Sequence, residues 1–149
     1  MKLTLVSLLS LFLLAACGLR TQSPDAPVDS NTPGSGLAPI YAPRAGDELL
    51  LRGEIYLDSV DMLVMESFPV QYSILLKGNL PSPCHQLRAV YNPPDAANSI
   101  SIEVYSVAEP DAVCVAMLQP FEQSIYLGTF PAGHYTIWVN GEQVAEFDA

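Results

Sequence analysis

The chain has 149 residues with 16 acidic and 6 basic side chains, giving a net charge of −10, together with 13 prolines and only three cysteines. An acid excess of this size repels phosphates and offers no basic stripe to release counterions, which argues against nucleic acid and against direct adhesion to anionic lipid surfaces. It is compatible with solubility, with cation binding or with a basic partner.

The first seventeen residues set the compartment. Lys2 supplies a positive start, Leu3 to Leu14 form a mostly apolar run, and small residues lead into Cys17. The run is shorter than the roughly 20 residues a helix needs to cross a bilayer, so residues 1–16 read as a secretory signal rather than a permanent span. Leu14-Ala15-Ala16-Cys17 resembles the lipobox of bacterial lipoproteins. That resemblance implies cleavage before Cys17, a diacylglycerol on its sulfur and an acyl chain such as palmitate on the new amino terminus. It also implies a protein held to the membrane by lipid and facing the extracytoplasmic side. Gly18 stands where an aspartate would resemble an inner-membrane retention signal, so the expected site is the outer membrane if the cell has one and the cell membrane otherwise. Loss of Lys2 with the signal takes the mature charge from −10 to −11.

Residues 17–46 follow as a tether, with Pro24, Pro27, Pro33, Pro39 and Pro43 set among Gly, Ser, Thr, Asn and Asp. Such a composition buries too little apolar surface to offset the entropy of ordering. As a coil it reaches on the order of 30 Å. With Cys17 assigned to lipid, Cys84 and Cys114 remain as an even pair in an exported domain, and the expectation is one disulfide. Metal thiolates or a free catalytic thiol are the alternatives. Adjacency of Cys84 and His85 does not favour catalysis, since neighbours on a strand point to opposite faces.

Residues 47–149 suit a single domain with one core. In chain order, strand-like runs cover Leu49–Leu57, Val60–Met65, Val70–Lys77, His85–Tyr91, Ile100–Tyr105, Ala112–Leu118, Phe121–Leu127, His134–Val139 and Glu142–Phe147. The clearest period-2 alternation sets Ile100, Ile102 and Val104 against Ser101, Glu103 and Tyr105, and Tyr135, Ile137 and Val139 against His134, Thr136 and Trp138. Breakers separate the runs at Asp58-Ser59, Ser67-Phe68-Pro69, Gly78-Asn79-Leu80-Pro81, Pro93-Pro94-Asp95, Glu109-Pro110-Asp111 and Pro131-Ala132-Gly133. Asn140-Gly141 predicts a tight hairpin, because both residues tolerate the positive φ of a type I′ turn. The expected fold is all-β, an antiparallel sandwich. Gly133-His134-Tyr135 with Val139-Asn140-Gly141 resembles immunoglobulin-like and fibronectin-like exported domains. Trp138 follows both cysteines, and their spacing is short, so the pair is not the usual bridge between sheets. Glu66 to Val70, Gly78 to Pro81 with Cys84, Cys114, Pro120 to Glu122 and Gly133 to Gly141 look like a pattern in bacterial lipoproteins of no assigned activity, a resemblance that lends no catalytic or binding residue, and no cofactor is expected.

Candidate sites follow from side-chain chemistry. Asp58 and Asp61, with Asp47, Glu48 and Glu66 near them in sequence, read as solvated turn acids, because calcium needs about 6 to 8 converging oxygens and its loop spacing is absent. As a paired general acid and base they lack an inferable pocket. His85 and His134, with Cys84, Cys114 and Met117, have the donor types that suit copper or zinc but lack ligand spacing. No G-x-S-x-G elbow or H-E-x-x-H helix occurs in the sequence, so no enzyme is expected. Tyr105 and Trp138 fall on the polar side of their strands, where they can stack on sugars or anchor a protein partner. The loops Pro81–His85 and Pro93–Asn98, the latter with Pro93 and Pro94, form a second candidate surface. The expectation is a membrane-anchored binding or interaction module with a protein or glycan partner. Metal handling is the alternative, followed by a hydrolase inhibitor or an enzyme.

Overall fold

The computed structural model describes residues 39–149. The expected signal segment, Cys17 and most of the expected tether lie outside the described residues. Among the described residues eight strands form the fold: β1 (Leu51–Gly53), β2 (Tyr56–Met65), β3 (Gln71–Leu80), β4 (Gln86–Asn92), β5 (Ser99–Ala108), β6 (Gln119–Gly128), β7 (His134–Val139) and β8 (Glu142–Asp148). They make a five-stranded sheet, with β4 on one side of β5 and β1 and β7 sharing its other side before β8, and a three-stranded sheet ordered β2-β3-β6. The all-β sandwich read from the alternating runs is the observed fold.

The core lies between the two sheets. Ile100, Ile102 and Val104 of β5 and Tyr135, Ile137 and Val139 of β7 pack with Ile74 and Leu76 of β3 and Ile125 and Leu127 of β6. Every second residue of these strands is therefore buried, as the period-2 pattern requires. At one end Tyr72, Phe130, Tyr135 and Phe147 form an aromatic cluster, with ring centroids between 4.5 Å for Tyr72–Phe147 and 5.7 Å for Tyr72–Phe130. The Tyr135 hydroxyl donates to the Pro131 carbonyl at 3.1 Å, in the manner of the tyrosine corner of immunoglobulin-like sandwiches.

Several elements differ from the sequence reading. Ladders between neighbours are antiparallel except for β5 with β7, which run parallel from Ser99↔Thr136 to Ile102↔Val139. Leu49–Leu57 is not one strand: a short 3-10 turn at Asp47–Leu49 precedes β1, and the chain changes sheets before β2. Ala112–Leu118 is not a strand but an irregular crossover between sheets. Its residues Val113, Val115, Met117 and Leu118 are exposed, so their alternation has no sheet face to bury against. Asp58-Ser59 does not end a strand either. The β2–β3 ladder passes from Leu57↔Gly78 to Ser59↔Lys77, leaving Asp58 as a bulge, and the Asn79 amide donates to its carboxylate at 3.0 Å. Gly78 is needed opposite the bulge, because a Cβ there would lie 2.3 Å from the Tyr56 carbonyl oxygen.

The folded body also begins earlier than residue 47. Tyr41 packs against the core, and its carbonyl accepts the Ala89 N–H on the outer edge of β4 at 2.8 Å. Composition marked residues 39–46 as tether because three of the eight are proline or glycine. Their turns are nonetheless closed by hydrogen bonds from Ala42 N–H to Pro39 and from Asp47 N–H to Arg44.

Cys84 and Cys114 are joined in a disulfide, with Cα atoms 6.1 Å apart. Cys84 sits on the β3–β4 crossover and Cys114 on the β5–β6 crossover, so the bond ties together two passages between the sheets at one end of the sandwich.

Candidate functional site

The outer face of the five-stranded sheet carries an open groove of about 840 Å³. Its position follows from the way β5 changes partner along one edge. β7 pairs with Ser99–Ile102 and β1 with Ser106–Ala108, which leaves Val104 between them. Asn140 fills that gap with its side chain. The Val104 N–H donates to Asn140 Oδ1 at 2.7 Å, and Asn140 Nδ2 donates to the Val104 carbonyl at 2.8 Å. Asn140 and Gly141 have φ of 49° and 86°, forming the tight turn that their sequence predicts. The same asparagine is thus both turn former and strand substitute, and only the first role is visible in the sequence.

Two of the aromatic residues expected at a binding surface meet here. Tyr105 and Trp138 both line the groove, together with Arg52, Glu103, Asn92 and Ser101. The register explains the grouping: Ser101 is paired with Asn92 on one side and with Trp138 on the other, so a small residue lies between an amide and an indole. The Trp138 Nε1–H donates to Thr136 Oγ1 at 3.2 Å, which fixes the ring's orientation. Its strand meets β8 at a bulge, since the ladder passes from Ile137↔Ala145 to Trp138↔Gln143. Asn92 Nδ2 donates to Ser101 Oγ at 3.1 Å.

Tyr105 does not present a free ring. The Arg52 guanidinium carbon lies 3.6 Å from its centroid, a cation–π stack, and the same guanidinium is paired with the Glu103 carboxylate. Among the described residues no cation stacks on Trp138, the other aromatic ring of the groove, while Tyr105 holds Arg52 flat. Pro93 and Pro94 do not line the groove, which reaches only as far as Asn92 before them. Their loop is stiffened by Asp95, whose carboxylate accepts the N–H groups of Ala97 and Ser99 at 2.8 and 2.9 Å.

The remaining candidates are placed elsewhere. His85 Nδ1 is 2.8 Å from Ser82 Oγ within the β3–β4 crossover, and His134 Nδ1 is 2.9 Å from Asp148 Oδ1 at the start of β7. The cysteine sulfurs are bonded to each other, and among the described residues no three His, Cys, Asp or Glu side chains converge to hold a metal ion. Asp58 and Asp61 are exposed on β2. The interaction the sequence hid is the ion pair of the buried Arg88 with the partly exposed Asp47. Arg88 Nε and Nη2 donate to the two Asp47 oxygens at 2.6 and 2.9 Å, and the arginine is only 2% exposed. Arg88, together with the Arg44 N–H, holds the Asp47 carboxyl down at about 2.

The fold and its groove define a β-sandwich with a side-chain-lined trough on one sheet. The ORF11 beta-sandwich domain family matches residues 74–149, and the chain belongs to that family. The match contains both disulfide cysteines, Asn92, Ser101, Glu103, Tyr105, Trp138 and Asn140, while Arg52 precedes it. The chain is also 35% identical over 85 residues to a protein of Herpetosiphon aurantiacus described as an uncharacterized 10.2 kDa protein in the HgiCIIM 5′ region. That alignment covers 56% of this chain and 89% of the relative. No solved structure matches.

Proposed function

We propose that the protein is a lipid-anchored extracytoplasmic binding module, held to the membrane through Cys17, whose recognition face is the groove containing Trp138. The observation that carries the reading is the groove itself, where an indole, an amide, a hydroxyl and an ion pair are brought onto one face by strand register. Sites for small or chain-like ligands have this make-up of aromatic surface with a few placed polar groups. Anchoring is supported by the signal-like residues 1–16 ending in Leu14-Ala15-Ala16-Cys17, and by a disulfide suited to an oxidising compartment. Several acyl chains give stable attachment, at about 0.8 kcal/mol per buried methylene.

Two measurements test the two halves separately. Cells fed an alkyne fatty acid incorporate label into the wild-type protein and not into Cys17→Ser; equal labelling of both contradicts the anchor. Purified protein carrying Cys17→Ser binds isolated cell envelopes saturably, and Trp138→Ala weakens that binding. Unchanged binding by Trp138→Ala contradicts the groove as recognition face.

A further inference from the structure

The ligand class can be taken further from the groove's own chemistry, on the reading that the groove is the recognition face. We propose that it binds an uncharged carbohydrate chain, with Trp138 as the stacking platform and Asn92, Ser101 and the Arg52–Glu103 pair meeting the hydroxyls.

Three observations favour this class over others. An extended peptide gains its affinity by adding to a sheet edge through main-chain hydrogen bonds. Along the groove, the edge of β5 offers none at Val104, whose N–H and carbonyl are both taken by Asn140. Recognition there falls to side chains. Next, the one cation that lines the groove among the described residues is neutralised in place, since Arg52 is paired with Glu103 while Glu54 adds a further acid to the lining. With a whole-chain charge of −10, that lining repels sulfated or carboxylated ligands and nucleic acid. Finally, the polar groups are bidirectional and fixed before binding. Asn92 uses its amide N–H on Ser101, which leaves the Asn92 carbonyl oxygen as acceptor and the Ser101 hydroxyl proton as donor. A sugar ring has the matching form, an apolar C–H face for the indole and a rim of hydroxyls that both donate and accept. The groove is an open trough rather than a closed cavity, which suits successive residues of a chain better than a single sugar.

The test titrates the full chain in detergent with neutral oligosaccharides of the β-1,4-glucan, β-1,3-glucan and N-acetylated chitin types. Heparin serves as the anionic arm and a random peptide library as the peptide arm. Binding is followed by fluorescence of Trp138, the single tryptophan of the chain, and by calorimetry. The expected result is saturable binding of a neutral oligosaccharide with a change in indole emission, no binding of heparin, and a loss of about tenfold or more with Trp138→Ala. Ser101→Arg, at an exposed position away from the core, blocks the trough floor and abolishes binding while thermal unfolding stays unchanged. Failure of all three neutral classes to bind at millimolar concentration overturns the proposal, as does binding that survives both substitutions. Peptide binding that is lost in both variants overturns the carbohydrate assignment and leaves the groove as recognition face. Retention of envelope binding by Trp138→Ala removes both.

Discussion

Asn140 and Asp47 each join segments distant in sequence by hydrogen bonds that the folded chain needs. Asn140→Ala removes a donor and an acceptor together, leaving the Val104 backbone groups without their protein partners, and it places alanine at a φ of 49°. The expected loss is about 2 kcal/mol, measured as a lower urea midpoint with an unchanged slope. Asn140→Gly restores the turn conformation but not the clasp, so it recovers part of the loss only. Asp47 gives a pH signature. Its carboxyl is depressed from 3.8 to about 2 in the folded protein by Arg88, so the unfolded chain binds the proton more readily. Its contribution is therefore fully present above about pH 4 and is lost as pH falls from 4 towards 2. Acid titration of the unfolding midpoint shows this descent in the wild type, and Asp47→Asn, less stable at neutral pH, loses that part of the slope.

At the scale of elements, the disulfide and the bulge show what sequence patterns do and do not encode. The bond closes a separation of 30 residues between two crossovers, for which the chain-entropy relation gives roughly 3 to 4 kcal/mol. Reduction, or the double change Cys84→Ala with Cys114→Ala, is expected to lower the unfolding free energy by about that amount while β-sheet circular dichroism persists below the transition. Loss of the sheet signal in native buffer would contradict a staple role. Parity of cysteines was enough to expect this pair, and alternation was enough to place β5, β7 and β8. The bulge was not legible. Asp58-Ser59 and Gly78-Asn79 carry irregularity signals that are real, but each alone reads as a strand end. Only when β2 and β3 are paired do they lie opposite one another, as one interruption inside a continuous ladder. Ala112–Leu118 failed for the complementary reason: its alternation is strand-like, yet neither sheet extends to receive it. The groove was half legible. Tyr105 and Trp138 could be assigned to outward faces, but the stacking of Arg52 on Tyr105 depends on β1 lying beside β5, a neighbour set by the fold and not by local sequence.

For the molecule as a whole, the two sheets have different outer faces. The five-stranded sheet carries the groove, with its indole and amide placed by register. The three-stranded sheet carries on its own outer side charged residues such as Lys77 and Glu122, which face each other at 3.5 Å. Among the described residues no helix is long and apolar enough to cross a membrane, and the proposed attachment rests on Cys17 and its lipid. Recognition by one face of a tethered body is the central claim, and its most direct measurement is position-resolved photo-crosslinking in intact cells. A benzophenone side chain placed at Ser101 is predicted to give a discrete, ultraviolet-dependent adduct that an excess of unlabelled protein competes away, whereas the same group at Glu122 gives none. Equal adducts from both positions, or an adduct from Glu122 alone, would contradict the assignment of the groove.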